Sequence, residues 1–143
     1  MNAAQQVKSI PFAHALASAV TLVRQHFPEA SPNLTPWRDD VETRQWFESE
    51  TWDIAFHFPG WTPRLQCRSL LMQLRVDTHQ NAERPYLLGV VLRGMTFDGE
   101  RWRLATIGDW KPTGPYLPQP AQLVKLHQIC TDLFSVFSSV ANP

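Results

Sequence analysis

The stretch 86–108, YLLGVVLRGMTFDGERWRLATIG, decides how the rest of the chain is read. Two runs rich in apolar residues, 86–97 and 100–108, flank Asp98 and Gly99. An Asp-Gly pair between two such runs is the strongest short-range hairpin signal, because a type I′ turn needs positive φ at both central positions. A two-residue turn at that pair sets Phe97 opposite Glu100, Met95 opposite Trp102, Gly94 opposite Arg103 and Arg93 opposite Leu104. One face of the ribbon then carries Val91, Met95, Phe97, Trp102 and Leu104, and the other Leu88, Val90, Leu92, Ala105 and Ile107. Both faces read as apolar for part of their length. Helices packed on one side would leave a second apolar flank in need of a companion.

Upstream, residues 51–58 alternate, with Trp52, Ile54, Phe56 and Phe58 on one side and Asp53, Ala55 and His57 on the other, as a half-buried strand requires. Pro59 and Gly60 turn the chain, and Leu65 and Cys67 resume the alternation before its phase slips near Arg68–Leu70, where Leu70, Met72, Leu74 and Val76 take the apolar side. Such a slip is what a β-bulge produces. The pattern sets Phe58 opposite Leu65, Phe56 opposite Cys67 and His57 opposite Gln66, with Asp53 diagonal to Arg68. Residues 41–48 fit either an edge strand or a short helix, and 77–85 and the proline-bearing stretch 29–40 read as irregular connections.

The ends of the chain have a different period. Phe12, Leu16, Val20, Val23 and Phe27 recur every three or four residues between Pro11 and the stop at Pro28. From Gln119 to Val140 a broad stripe holds Leu123, Leu126, Ile129, Cys130, Leu133, Phe134, Val136, Phe137 and Val140. Between the last strand and this helix, residues 109–120 contain four prolines and Gly114, a stiff extended segment. The order helix, four or five antiparallel strands, helix implies an α+β fold, a meander with both amphipathic helices on one sheet face. At 143 residues, 1–143 is expected to form one globular domain.

Composition narrows the function classes. With 43% hydrophobic and 18% charged residues the chain can bury a core, so disordered and disulfide-scaffold classes drop out. Thirteen cations balance thirteen acids, leaving no net field to gather polyanions. The sum hides an acidic block, net minus five over 29–53, and a basic one, net plus three over 64–103, which neighbouring strands can pair. Two widely separated cysteines, no early cationic and apolar leader, and no apolar run near eighteen residues point to a reduced, cytoplasmic setting without membrane insertion.

No phosphate-binding loop, nucleophile elbow or zinc-protease motif is present, and no motif places the chain in a known family or calls for a cofactor. Asp53 and His57, with Arg68, form the one acid-base constellation, but four residues along a strand span ~13 Å, too far for direct contact. His127, Cys130 and Cys67 have spacing that a zinc ion could use, against which stands the apolar surround of both thiols. Trp61, Trp102 and Tyr86 interleave with Arg64, Arg68, Arg93, Arg101 and Arg103, a vocabulary shared by base-stacking sheets and protein interfaces. Six tryptophans exceed what one helix-covered face can conceal, and Trp61 and Trp110 fall in loops. The expectation is a non-catalytic protein-binding module, an accessory or assembly factor or a small regulatory subunit. It would take another protein or its own copy through Trp61, Arg93, Trp102, Trp110 and Tyr116. A small enzyme or ligand-binding protein using His57, Asp53 and Arg68 is the alternative, and single-stranded nucleic-acid binding the third.

Overall fold

The computed structural model describes residues 1–7, 9–37, 51–77 and 86–141. Helix α1 (Ile10–His26) begins behind Ser9, whose hydroxyl accepts from the Phe12 amide, and carries Pro at its second position, where no intrahelical donor is lost. Then come strands β1 (Ser31–Asn33), β2 (Thr51–Thr62), β3 (Cys67–Asp77), β4 (Tyr86–Thr96) and β5 (Gly99–Ala105), followed by helix α2 (Pro120–Ala141). The strands form one antiparallel meander in chain order. The α+β reading therefore holds, although the fifth strand lies at 31–33, inside a stretch expected to be irregular; 41–48 lies outside the described residues.

Both helices lie on one face of the sheet. Phe12, Leu16 and Val23 of α1 and Leu126, Ile129, Leu133 and Phe137 of α2 meet Trp52, Ile54, Phe56, Leu70, Met72, Leu92, Trp102 and Leu104 in one buried cluster. Among the described residues no helix is long and apolar enough to cross a membrane.

Register corrects the sequence reading twice. In the β4–β5 hairpin the turn residues are Phe97 and Asp98, Thr96 pairs with Gly99, Gly94 with Trp102 and Leu92 with Leu104. Gly99 keeps positive φ, at 122°, but as the first strand residue. Between Gly94 and Met95 the register shifts, and Arg101 is the extra residue of β5. A one-residue slip moves side chains to the opposite face. Trp102 and Leu104 thereby join Val90 and Leu92 under the helices, while Arg93, Glu100 and Arg103 share the outer face. Packing selects this register: a Cβ on Gly94 would stand 2.2 Å from the Trp102 Nε1, so the indole needs a glycine beneath it. The ribbon thus has one apolar face, and the second apolar flank does not exist as drawn.

In the first hairpin Phe56 pairs with Leu70, His57 with Ser69 and Asp53 with Gln73, and the irregularity lies between His57 and Thr62, opposite 67–69. The turn before β3 carries Gln66 at φ 54°, steadied by its side-chain amide donating to the Pro63 carbonyl at 2.9 Å.

The outer sheet face is not bare. Thr51, Asp53, Ala55, Leu71 and Gln73 are all buried. Three donors reach the Asp53 carboxylate: the Thr51 hydroxyl at 2.6 Å, the Met1 amino group at 3.1 Å and the Trp37 indole. Gln73 lies beside Asp53 in register, its Oε1 accepting from the Arg93 Nε at 2.8 Å. Asn2 fixes Trp37 there by accepting from its backbone amide at 2.8 Å and donating to its carbonyl at 3.1 Å. Burial still pushes the Asp53 carboxyl above its ordinary range, against the hydrogen bonds from Thr51 and Trp37 and the charge of the amino terminus.

Candidate functional site

The proline-rich segment positions the candidate site. Thr113 exchanges two 2.8 Å backbone hydrogen bonds with Arg103, the Tyr116 amide donates to the Arg101 carbonyl at 3.4 Å, and the Gln119 amide donates to the Arg64 carbonyl at 2.9 Å. The segment therefore lies along the free edge of β5. Gly114 permits it: φ is 139°, and a Cβ would come within 2.5 Å of the Arg101 carbonyl oxygen. At the opposite edge β1 is three residues long and contains Pro32. One edge is paired and the other short and broken by proline, which removes the usual template for strand-by-strand association.

What the segment builds is a clasp of three side chains. The Arg101 guanidinium carbon lies 3.6 Å from the Tyr116 ring centroid and 5.2 Å from that of Trp61. Trp61 is 43% exposed and Tyr116 49%, with Leu117 equally open beside them. The Arg101 Nε is buried without a hydrogen-bond partner. A guanidinium over aromatic faces is attracted by the ring quadrupole and is held in one orientation.

The other expected site residues do not join it. Trp102 is fully buried, its indole donating to the Leu65 carbonyl at 2.6 Å, so it anchors the core and is not exposed at the surface. Arg93 is buried on the outer face, with Nε on Gln73 and one terminal nitrogen 2.9 Å from Glu100. The true register turns both away from the surface expected of them. Trp110, at φ 59°, stacks on Phe134 with ring centroids 6.1 Å apart, and its carbonyl accepts from the His127 Nε2 at 2.6 Å. It pins the proline-rich segment to α2. In the sequence Arg101 is only one of five arginines interleaved with aromatics, and it does not stand out as a binding residue because its orientation depends on the bulge.

The chemical constellations disperse. Asp53 is sealed inside, whereas His57 and Arg68 are exposed, and Asp53 is paired with Gln73 rather than set diagonal to Arg68. His57 Nδ1 stands 2.8 Å from the Ser69 hydroxyl, which invites a nucleophile reading. The hydrogen-bond sense opposes it. Asn33 commits its Oδ1 to the Thr35 amide and hydroxyl, so its Nδ2 donates to His57 Nε2 at 3.4 Å; Nδ1 then carries the proton and donates to Ser69. In that tautomer the ring cannot take a proton from Ser69 through Nδ1. His127 is engaged by Trp110, and burial raises both the Cys67 and Cys130 thiols to about 12. Among the described residues no three potential ligands come close enough to hold a metal ion.

Fold and surface together define a small α+β meander with both helices on one face and an aromatic-arginine clasp at a sealed edge. A family described as a domain of unknown function matches residues 4–139, and the chain belongs to that family. Neither the curated proteins nor the solved structures give a match.

Proposed function

We propose that the protein is a non-catalytic protein-binding module, an accessory or assembly factor or small regulatory subunit, and that the Trp61–Arg101–Tyr116 clasp is where the partner docks. The observation that supports this reading is the pair of half-exposed rings holding a guanidinium between them, with Leu117 alongside. Trp, Tyr and Arg dominate interface energetics, and rings already ordered by a cation lose little freedom on binding. The contact surface is thus the β5 edge rather than the open sheet face. A partner offering a carboxylate beside an apolar side chain meets both the cation and the rings.

The test compares wild type with the double variant Trp61→Ala, Tyr116→Ala in affinity capture from native extract and in size-exclusion with light scattering. Wild type should enrich a defined protein, or its own copy, and the variant should weaken that association by about 2 kcal/mol or more while keeping its unfolding midpoint. Equal capture by both proteins, or a strict monomer that captures nothing, overturns the reading. Salt-sensitive binding of a single-stranded oligonucleotide lost in the same variant would put nucleic acid in the partner's place.

A further inference from the structure

We propose, resting on the reading of the clasp as a docking surface, that its occupant is an aspartate or glutamate side chain next to an apolar residue in an unphosphorylated segment of the partner. Arg101 selects it. Among the described residues the Arg101 side chain makes no hydrogen bond and no ion pair, and its Nε is buried without an acceptor. The Tyr116 and Trp61 rings attract the cation but supply no acceptor oxygen. The acids that could neutralise it are absent or spent. Segments 59–68 and 111–119, which bring in Trp61 and Tyr116, hold Arg64, Arg68 and Lys111 and no acid. The single acid of β5, Glu100, stands 2.9 Å from Arg93 and 3.8 Å from Arg103. Glu29 shares a cleft with Arg64, not with Arg101. A partner that covers the half-exposed rings also takes the guanidinium out of water. A cation so desolvated is costly without a counter-charge, so a wholly apolar partner is penalised and one that brings a carboxylate is favoured.

The backbone decides which anion. A chain-terminal carboxylate or a phosphate is ordinarily held by convergent backbone amides. Here Pro112, Pro115 and Pro118 have none, and the amides of Lys111, Thr113, Tyr116 and Gln119 already donate to Asp109, Arg103, Arg101 and Arg64. In this stretch that leaves the amides of Gly114 and Leu117, three residues apart. Recognition therefore falls to side chains: the guanidinium pairs with a side-chain carboxylate, while the rings and Leu117 cover its apolar neighbour.

The probe is the terminally blocked peptide acetyl-Gly-Leu-Glu-Phe-Gly-amide, titrated into ¹⁵N-labelled full-length protein while the Arg101 Nε–H and Trp61 indole signals are followed. Both should shift saturably, with a Kd on the order of 1 mM. Gln in place of the peptide's Glu should weaken binding roughly tenfold or more, as loss of a charge-assisted hydrogen bond does. Arg101→Gln should bind the two peptides equally; the comparison of peptides on wild type keeps the test decisive even if that variant fails to fold. Equal affinity of wild type for the Glu and Gln peptides, a Glu preference that survives Arg101→Gln, or tighter binding of a phosphoserine peptide or of the Gln peptide with a free terminal carboxylate would each overturn the choice of occupant and leave the docking surface in place. No saturable shift with any peptide overturns it too, and the docking surface is then judged separately by capture with Trp61→Ala, Tyr116→Ala.

Discussion

Arg101 and Trp102 are neighbours in β5, yet one lies half-open between two surface rings and the other is sealed beneath both helices. Trp61 and Trp102 repeat the contrast: the first indole is 43% exposed, while the second sits over a glycine with its N–H capped by a carbonyl. The same residue types hold the core together on one side of a strand and are left for other uses on its edge. A count of aromatic residues cannot separate the two roles; the bulge at Arg101 does.

The contrast breaks most easily at Trp102. Trp102→Ala should cost about 3–5 kcal/mol in urea unfolding, as expected for a large aromatic removed from a packed core. Trp61→Ala, with much of its ring already in water, should stay within about 0.5 kcal/mol, as surface substitutions do. Comparable costs would mean that the two indoles are not divided between core and surface. Next in size is Gly94→Ala. Its methyl would overlap the Trp102 ring, which the bond to Leu65 holds in place, and overpacking of this kind should cost about 1–3 kcal/mol. A neutral result would show that the hairpin can return to the register with Met95 opposite Trp102.

That alternative register explains how much of the fold was legible. The alternation at 51–58 and the three-and-four spacing in both helices each bury one side of one element, so periodicity alone exposes them. Register has no such signal here: residues 90–92 are apolar without interruption and Leu87 and Leu88 adjoin each other, so a slip by one leaves hydrophobic groups on either face. The decision falls to the fit of Trp102 over Gly94, a contact between strands. Trp61 and Tyr116 were legible as exposed aromatics, although Trp61 stands at the end of β2 rather than in the loop expected for it. Arg101, which draws them together, was not, because three separate segments meet only in the folded chain.

A third prediction concerns the outer face, where Asp53 is the charged counterpart of the apolar core beneath. Burial raises its folded pKa above the ordinary value of 3.8, so the folded state holds the proton more tightly than the unfolded chain. The associated stability is present in acid and is lost as pH climbs from the ordinary value through the raised one. Asp53→Asn should therefore gain on wild type as pH rises across that window, and unfolding midpoints measured at several pH values give the difference. A gap that moves the other way would mean that the Thr51, Trp37 and amino-terminal contacts outweigh desolvation.

The smallest expected effect sharpens the comparison at its other pole. If Arg101 and Tyr116 form an ordered unit on the surface, their 3.6 Å contact should appear as coupling in a double-mutant cycle, even though neither residue alone carries much stability. Arg101→Gln removes the charge and keeps the stem, while Tyr116→Leu removes the ring face and keeps apolar bulk. The cycle should return about 0.5–1 kcal/mol for a partly exposed cation over an aromatic ring. Because the attraction is to a quadrupole rather than to a counter-charge, it should also survive added salt better than the exposed Arg103–Glu100 pair at 3.8 Å. Zero coupling would mean that the rings and the guanidinium move independently in solution. The clasp would then lose the preorganisation that distinguishes it from any other exposed tryptophan.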